Sequence, residues 1–149
     1  ICSEFEILRE LDHPNIIKIH EMFRDEDNYY LITEYCSGGD LLSRIDNKKN
    51  FSEDLGSQIL YQVLSGINYC HEKGVMHRNI NPENILYLLE DDNSAIKLIG
   101  FGLSVDTKSL YMKSRIQGLN VTILFIYDAF TAPEVFKYKY DEKCDIWSC

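Results

Sequence analysis

His77-Arg78-Asn79-Ile80-Asn81-Pro82-Glu83-Asn84 is the stretch around which the rest of the chain is arranged. An apolar run, residues 85–89, follows it directly, and a second, residues 96–99, leads into Gly100-Phe101-Gly102. Ala132-Pro133-Glu134 stands further on. Short apolar runs bounded by polar or glycine-containing segments read as strands. Each motif alone says little. Their order, and their setting among strands and a helix, carries the information.

Upstream of the stretch, Ser52 reads as a helix N-cap with Glu53 and Asp54 in the first turn, where the positive end of the helix dipole favours acids. Ile59, Leu60, Val63, Leu64, Ile67 and Cys70 recur at helical spacing, and Gly74 supplies the stop. Residues 16–23 and 29–35 read as two strands joined by the polar turn Arg24-Asp25-Glu26-Asp27-Asn28. That acidic turn lacks the glycine and terminal glutamate of an EF-hand loop, as does Asp91-Asp92-Asn93, so both read as turns and no EF-hand is expected. At the start, Phe5, Leu8 and Leu11, with Ile1 and Ile7, support one helical face that Pro14 ends.

Taken together, these motifs resemble the catalytic loop, metal-binding turn and end of the activation segment of protein kinases, which read H-R-D…N, D-F-G and A-P-E. The L-D-H-P-N-I-I-K run and the closing Y-D-E-K-C-D-I-W-S-C are similar to the calcium-dependent and calmodulin-dependent Ser/Thr kinase group. The resemblance implies an α+β, protein-kinase-like fold, present in part. Residues 1–36 would be the end of the N-lobe (C helix, two strands and hinge). Residues 37–149 would be the first half of the mainly helical C-lobe, to the start of the F helix. Glu4 would be the C-helix acid, although no partner lysine or glycine-rich phosphate loop precedes it. Thr33 would be the gatekeeper, Glu34-Tyr35-Cys36 the hinge against adenine, Asp40 a ribose-side acid and Leu86 the residue beneath adenine. Leu8, Ile19, His77 and Phe101 would fill an apolar column, Asp145 would anchor the catalytic loop, Arg78 would read activation-segment phosphate, and Glu134 would close the segment. ATP and Mg²⁺ are the cofactors implied.

Several family positions are substituted. The loop aspartate that accepts the substrate proton, the lysine two residues on and the metal-holding asparagine five residues on fall at Asn79, Asn81 and Asn84, of which only the last is kept. Gly100 stands at the metal-binding aspartate. An amide has negligible proton affinity at neutral pH, and positioned general-base catalysis is worth roughly 10²–10⁴-fold, or about 3–5 kcal/mol of barrier. Asn81 offers hydrogen bonds but no positive charge to the transferring group. Mg²⁺ is usually held through one or two carboxylates together with phosphate and water, which one amide oxygen does not replace.

Residues 117–131 depart again. The aligned positions of the group's G-T-x-x-Y run are Ile126, Tyr127 and Phe130, preceded by the apolar, β-prone residues 119–125. This run reads as a docking strand, as a segment packed on the lobe, or as retained intron sequence, the last slightly favoured.

Bulk properties narrow the function classes. With 149 residues, 45% hydrophobic and 26% charged, the chain is an ordinary globular sequence. A net charge of −9 argues against nucleic acid or an anionic membrane as main partner. Five cysteines without paired spacing read as reduced thiols, and no apolar run approaches membrane-spanning length; a cytoplasmic protein is expected. The function expected is a catalytically impaired pseudokinase or decayed paralogue, acting by binding protein partners or basic peptide segments, with doubtful ATP and Mg²⁺ binding. The alternatives are an active Ser/Thr kinase whose sequence is truncated or misread, and a fragment without function.

Overall fold

A 21-residue helix forms the spine of the structure, a computed structural model that describes residues 2–47, 51–108, 129–137 and 140–149. In chain order the elements are α1 (Cys2–Arg9), β1 (Ile19–Arg24), β2 (Tyr29–Thr33), α2 (Leu41–Asn47), α3 (Glu53–Lys73), β3 (Val75–Met76), β4 (Ile85–Tyr87), β5 (Ile96–Leu98), β6 (Val105–Asp106) and α4 (Lys143–Ser148). Short 3₁₀ turns at Pro82–Asn84, Phe101–Leu103 and Val135–Lys137 interrupt the irregular segments.

Helix α3 begins and ends where its sequence dictates. The Ser52 hydroxyl accepts from Leu55 N–H, and Gly74 adopts the left-handed conformation (φ 82°) while its N–H bonds back to the last turn. Ile59, Val63, Ile67 and Cys70 face inward. Leu60 and Leu64, expected on that same face, lie one row round and are exposed. Helix α1 ends sooner than its apolar spacing implies: Glu10 and Leu11 N–H close 3₁₀-type bonds to Ile7 and Leu8, and Leu11 is buried beyond the helix end.

The strands form three two-stranded antiparallel sheets, β1–β2, β3–β6 and β4–β5. Strand β1 starts at Ile19 rather than at residue 16, with an irregularity between Ile19 and Glu21; Ile16 instead bridges β5 in parallel at Leu98. The β1–β2 turn is held by Asp25, whose Oδ1 accepts from the N–H of Asp27 and Asn28. Asx bonding of this kind is why an acid opens the turn.

One core cluster joins these pieces, with Ile67, Tyr87, Ile96 and Leu98 fully enclosed. Each large apolar side chain so buried contributes about 1.5–3 kcal/mol. Asn15 and Gln62 carry the polar seam. Asn15 Nδ2 donates to Gln62 Oε1 (2.9 Å) and the Ile96 carbonyl (3.2 Å), and Gln62 Oε1 also accepts from Ile96 N–H (3.0 Å). That seam satisfies buried backbone where helix, loop and strand meet. A smaller cluster of Ala132, Val135 and Cys144, with Tyr140 against it, sits behind the 77–84 loop. No helix among the described residues is long and apolar enough to cross a membrane.

Candidate active site

The 77–84 loop is suspended between β3 and the Pro82–Asn84 turn and is anchored from α4. Asp145, fully buried, accepts from His77 N–H (2.9 Å), Arg78 N–H (2.7 Å) and His71 Nε2 (2.8 Å). Burial alone would push this carboxyl up, but the His71 hydrogen bond, neighbouring His77 and the two backbone donors together hold it below the usual carboxylate range. The anchored donor at Arg78 has φ 65°, the sole left-handed non-glycine residue among those described. Such a conformation costs on the order of 1 kcal/mol and persists only where neighbours over-determine it.

His77 is buried and uses both ring nitrogens. Nδ1 accepts from Asn79 N–H (3.2 Å), so Nε2 carries the proton and donates to the Ile99 carbonyl (2.9 Å). The imidazole is therefore neutral, and burial keeps its pKa below the ordinary value despite the opposing pull of Asp145. Phe101 packs edge-on against the ring at 4.4 Å between centroids. Leu8, Ile19 and Phe101 are buried in one core cluster, and His77 is buried against Phe101.

Asn79, Asn81, Asn84 and Gly100 converge. Asn81 Oδ1 caps the 3₁₀ turn by accepting from Glu83 N–H (3.0 Å) and Asn84 N–H (3.1 Å), while its Nδ2 donates to Asn79 Oδ1 (3.2 Å). Asn84 Nδ2 donates to the Asn79 carbonyl (2.8 Å). Gly100 is left-handed (φ 83°), and a Cβ there would lie 2.6 Å from Asn84 Cγ. Three interlocked amides and a glycine thus occupy the positions expected to carry two carboxylates, a lysine and one amide.

A family model described as protein kinase domain matches residues 1–149. The chain belongs to the protein kinase domain family. It is 45% identical to calcium-dependent protein kinase 4 of Plasmodium berghei (strain Anka) over a 151-residue alignment, which covers all of this chain and 27% of that protein. It is 39% identical to calcium-dependent protein kinase 5 of the same organism over 145 residues, covering 97% of this chain and 24% of that protein. Calcium-dependent protein kinase 4 of Plasmodium falciparum (isolate 3D7) is 43% identical, with 100% and 27% covered. The chain therefore spans about a quarter of the length of the curated relatives it matches.

The kinase domain places the expected nucleotide-pocket residues unevenly. Asp40 and Leu86 pair as an isolated bridge, and the turn between Cys36 and Asp40 runs along β4, with Gly38 N–H on the Tyr87 carbonyl (3.0 Å) and Tyr87 N–H on the Gly39 carbonyl (2.9 Å). Asp40 caps α2, accepting from Ser43 N–H (2.8 Å) and Ser43 Oγ (2.7 Å), bonds that hold its carboxyl below its ordinary pKa. Cys36 is half-buried, and burial pushes its thiol up. Thr33 is exposed with its hydroxyl on the Glu34 carbonyl, and the Glu34 carboxylate binds Lys18 N–H (2.8 Å) and Lys97 Nζ (2.8 Å). Glu34 thus ties its strand end to β5. Glu4 reaches the other side, its Oε2 within 3.5 Å of where a Gly102 Cβ would stand. Arg78, expected to meet phosphate, donates to the Leu103 carbonyl (2.7 Å) and Tyr140 Oη (3.0 Å). Glu134 is half-buried at the Ala132–Val135 turn, and its carbonyl accepts from Lys137 N–H. Ile126 and Tyr127 lie outside the described residues.

Sequence reasoning missed Arg44, His71 and Tyr140. Arg44 stacks its guanidinium over the Tyr87 ring at 3.8 Å and clamps the 38–39 turn to the 89–92 loop through the Gly38 and Leu89 carbonyls and Asp92. An arginine one turn after a Gly-Gly-Asp cap was the available signal, but only the folded chain shows what lies within its reach.

Proposed function

We propose that this kinase domain acts by binding and not by phosphoryl transfer. The observation that carries this reading is the amide cluster: at the loop position where the family holds its general base, Asn79 Oδ1 accepts from Asn81 Nδ2. An amide oxygen in that place takes no proton at neutral pH, and no lysine ammonium stands two residues on to offset charge on a transferring phosphoryl group. Removing parts that act as a unit is not additive, and the loss of the base alone already removes about 3–5 kcal/mol of barrier lowering. The apolar column and the anchored loop remain, which supports a scaffold kept for recognition of a protein or a basic peptide segment by an acidic molecule of net charge −9. The thiols of Cys36, Cys70, Cys144 and Cys149 are free, in keeping with a reducing cytoplasmic setting.

The test is transfer of γ-phosphate from Mg²⁺-ATP to Ser/Thr peptides, beside a variant carrying Asn79→Asp, Asn81→Lys and Gly100→Asp together. Transfer at background is expected for the unaltered chain. Turnover within about tenfold of the usual 1–100 s⁻¹ would overturn the proposal.

A further inference from the structure

The divalent cation implied by the family does not fit the residues present, and the geometry shows what has replaced it. Gly100 brings no carboxylate, and the volume its side chain would fill is taken: Asn84 Cγ, Nδ2 and Oδ1 lie 2.6, 2.7 and 2.7 Å from an ideal Cβ at position 100. The Asn84 carboxamide must move before a side chain can stand there. Asn84 Oδ1, the atom a metal would need, therefore lies in the space beside Gly100 that a side chain would take. The other end of the same amide holds the Asn79 carbonyl at 2.8 Å. Asn81 completes the set, with Oδ1 on two backbone donors and Nδ2 on Asn79. The carboxylate that the described contacts bring to this turn is Glu4, against Gly102.

We infer that Asn84 plugs the metal position of this chain, its carboxamide collapsed over Gly100, so that the 77–84 loop is pinned by its own uncharged amides without a divalent ion. The inference rests on the binding reading above and sharpens it: any ligand of this cleft is recognised independently of Mg²⁺. A glycine at position 100 is what permits the collapse. Any Cβ there must expel the plug, even though Asp tolerates a left-handed backbone better than most residues.

The full chain, labelled with ¹⁵N, is titrated with Mn²⁺ alone while the side-chain amide of Asn84 is followed by NMR, that resonance being assigned by its loss in Asn84→Ala. Paramagnetic broadening of the Asn84 amide no stronger than that of other surface-accessible amides is expected, unchanged in Glu4→Gln. Saturable broadening centred on Asn84, or broadening abolished by Glu4→Gln, would mean that a cation is held and would overturn the inference. Gly100→Ala adds no ligand, and its methyl should shift the Asn84 amide resonance and lower Tm by roughly 2–4 °C. An unmoved resonance and Tm would equally refute the plug. Phosphoryl transfer is scored separately: an active enzyme without a bound cation would sink the binding proposal and leave the plug standing.

Discussion

Replacing Asp145 by Ala removes the one group that holds both the loop and its strained residue. Three donors lose their acceptor: His77 N–H at 2.9 Å, Arg78 N–H at 2.7 Å and His71 Nε2 at 2.8 Å. The carboxylate is fully buried, so water does not replace it without opening the structure. A buried donor left unsatisfied costs about 1–3 kcal/mol, and three lose their acceptor together. The left-handed backbone at Arg78 then loses one of its restraints, and the relaxation that its bonds to Leu103 and Tyr140 still permit offsets part of the loss. The expected loss is about 3–5 kcal/mol, a large part of the 5–15 kcal/mol that holds a typical domain folded. Asp145→Asn keeps one acceptor but turns an N–H₂ toward donors, and should lose about half as much. His71→Phe removes a single partner and should cost about 1–2 kcal/mol. The assay is urea unfolding followed by circular dichroism, with hydrogen exchange at the Arg78 amide reporting the loop. A change below about 1 kcal/mol in Asp145→Ala, or equal losses for all three variants, would refute the account of Asp145 as the anchor.

Two further outcomes follow from the same structure. Gly38→Ala should destabilise by about 1–3 kcal/mol in thermal melts, because its Cβ would stand 2.1 Å from the Leu89 carbonyl oxygen and 2.5 Å from Tyr87 Cβ; an unchanged Tm would show that the turn can move. Stability should also fall on acidification from about pH 6.5: His77 has a folded pKa below its ordinary 6.5, so the unfolded chain takes the proton first, and the contribution of the neutral ring is complete above that value and lost below it. His13, also lowered by burial and by Lys97, adds to the same slope, and Asp145 adds a second loss below its ordinary 3.8. A Tm that rises between pH 6.5 and 5 would contradict this.

Much of the architecture was legible because it is written in local chemistry. The caps of α3 at Ser52 and Gly74 and the Asp25 turn depend on residues within a few positions of one another. Their bonds form where the sequence places them. Boundaries were less legible where a distant partner decides them. The residue 16–23 run divides because Ile16 pairs with Leu98 while Ile19 pairs with Thr33. The burial of Leu60 and Leu64 could not be settled by periodicity either, since a helix of period 3.6 offers several apolar rows and the neighbours select one.

By itself, the sequence determined the family and the order of the elements, and set the expectation of which positions are substituted. Ordered motifs and helical spacing are one-dimensional facts, and so is the chemical inability of Asn79 to act as a base. Only the tertiary structure decided how the substitutions are accommodated. Asn84 lies over Gly100 and Asn81 bonds Asn79, while Arg78 is committed to Leu103 and Tyr140. It also decided that Glu34 turns to Lys97. Those outcomes depend on which side chains from remote segments share a few ångströms of space, and on which buried donors must be satisfied there.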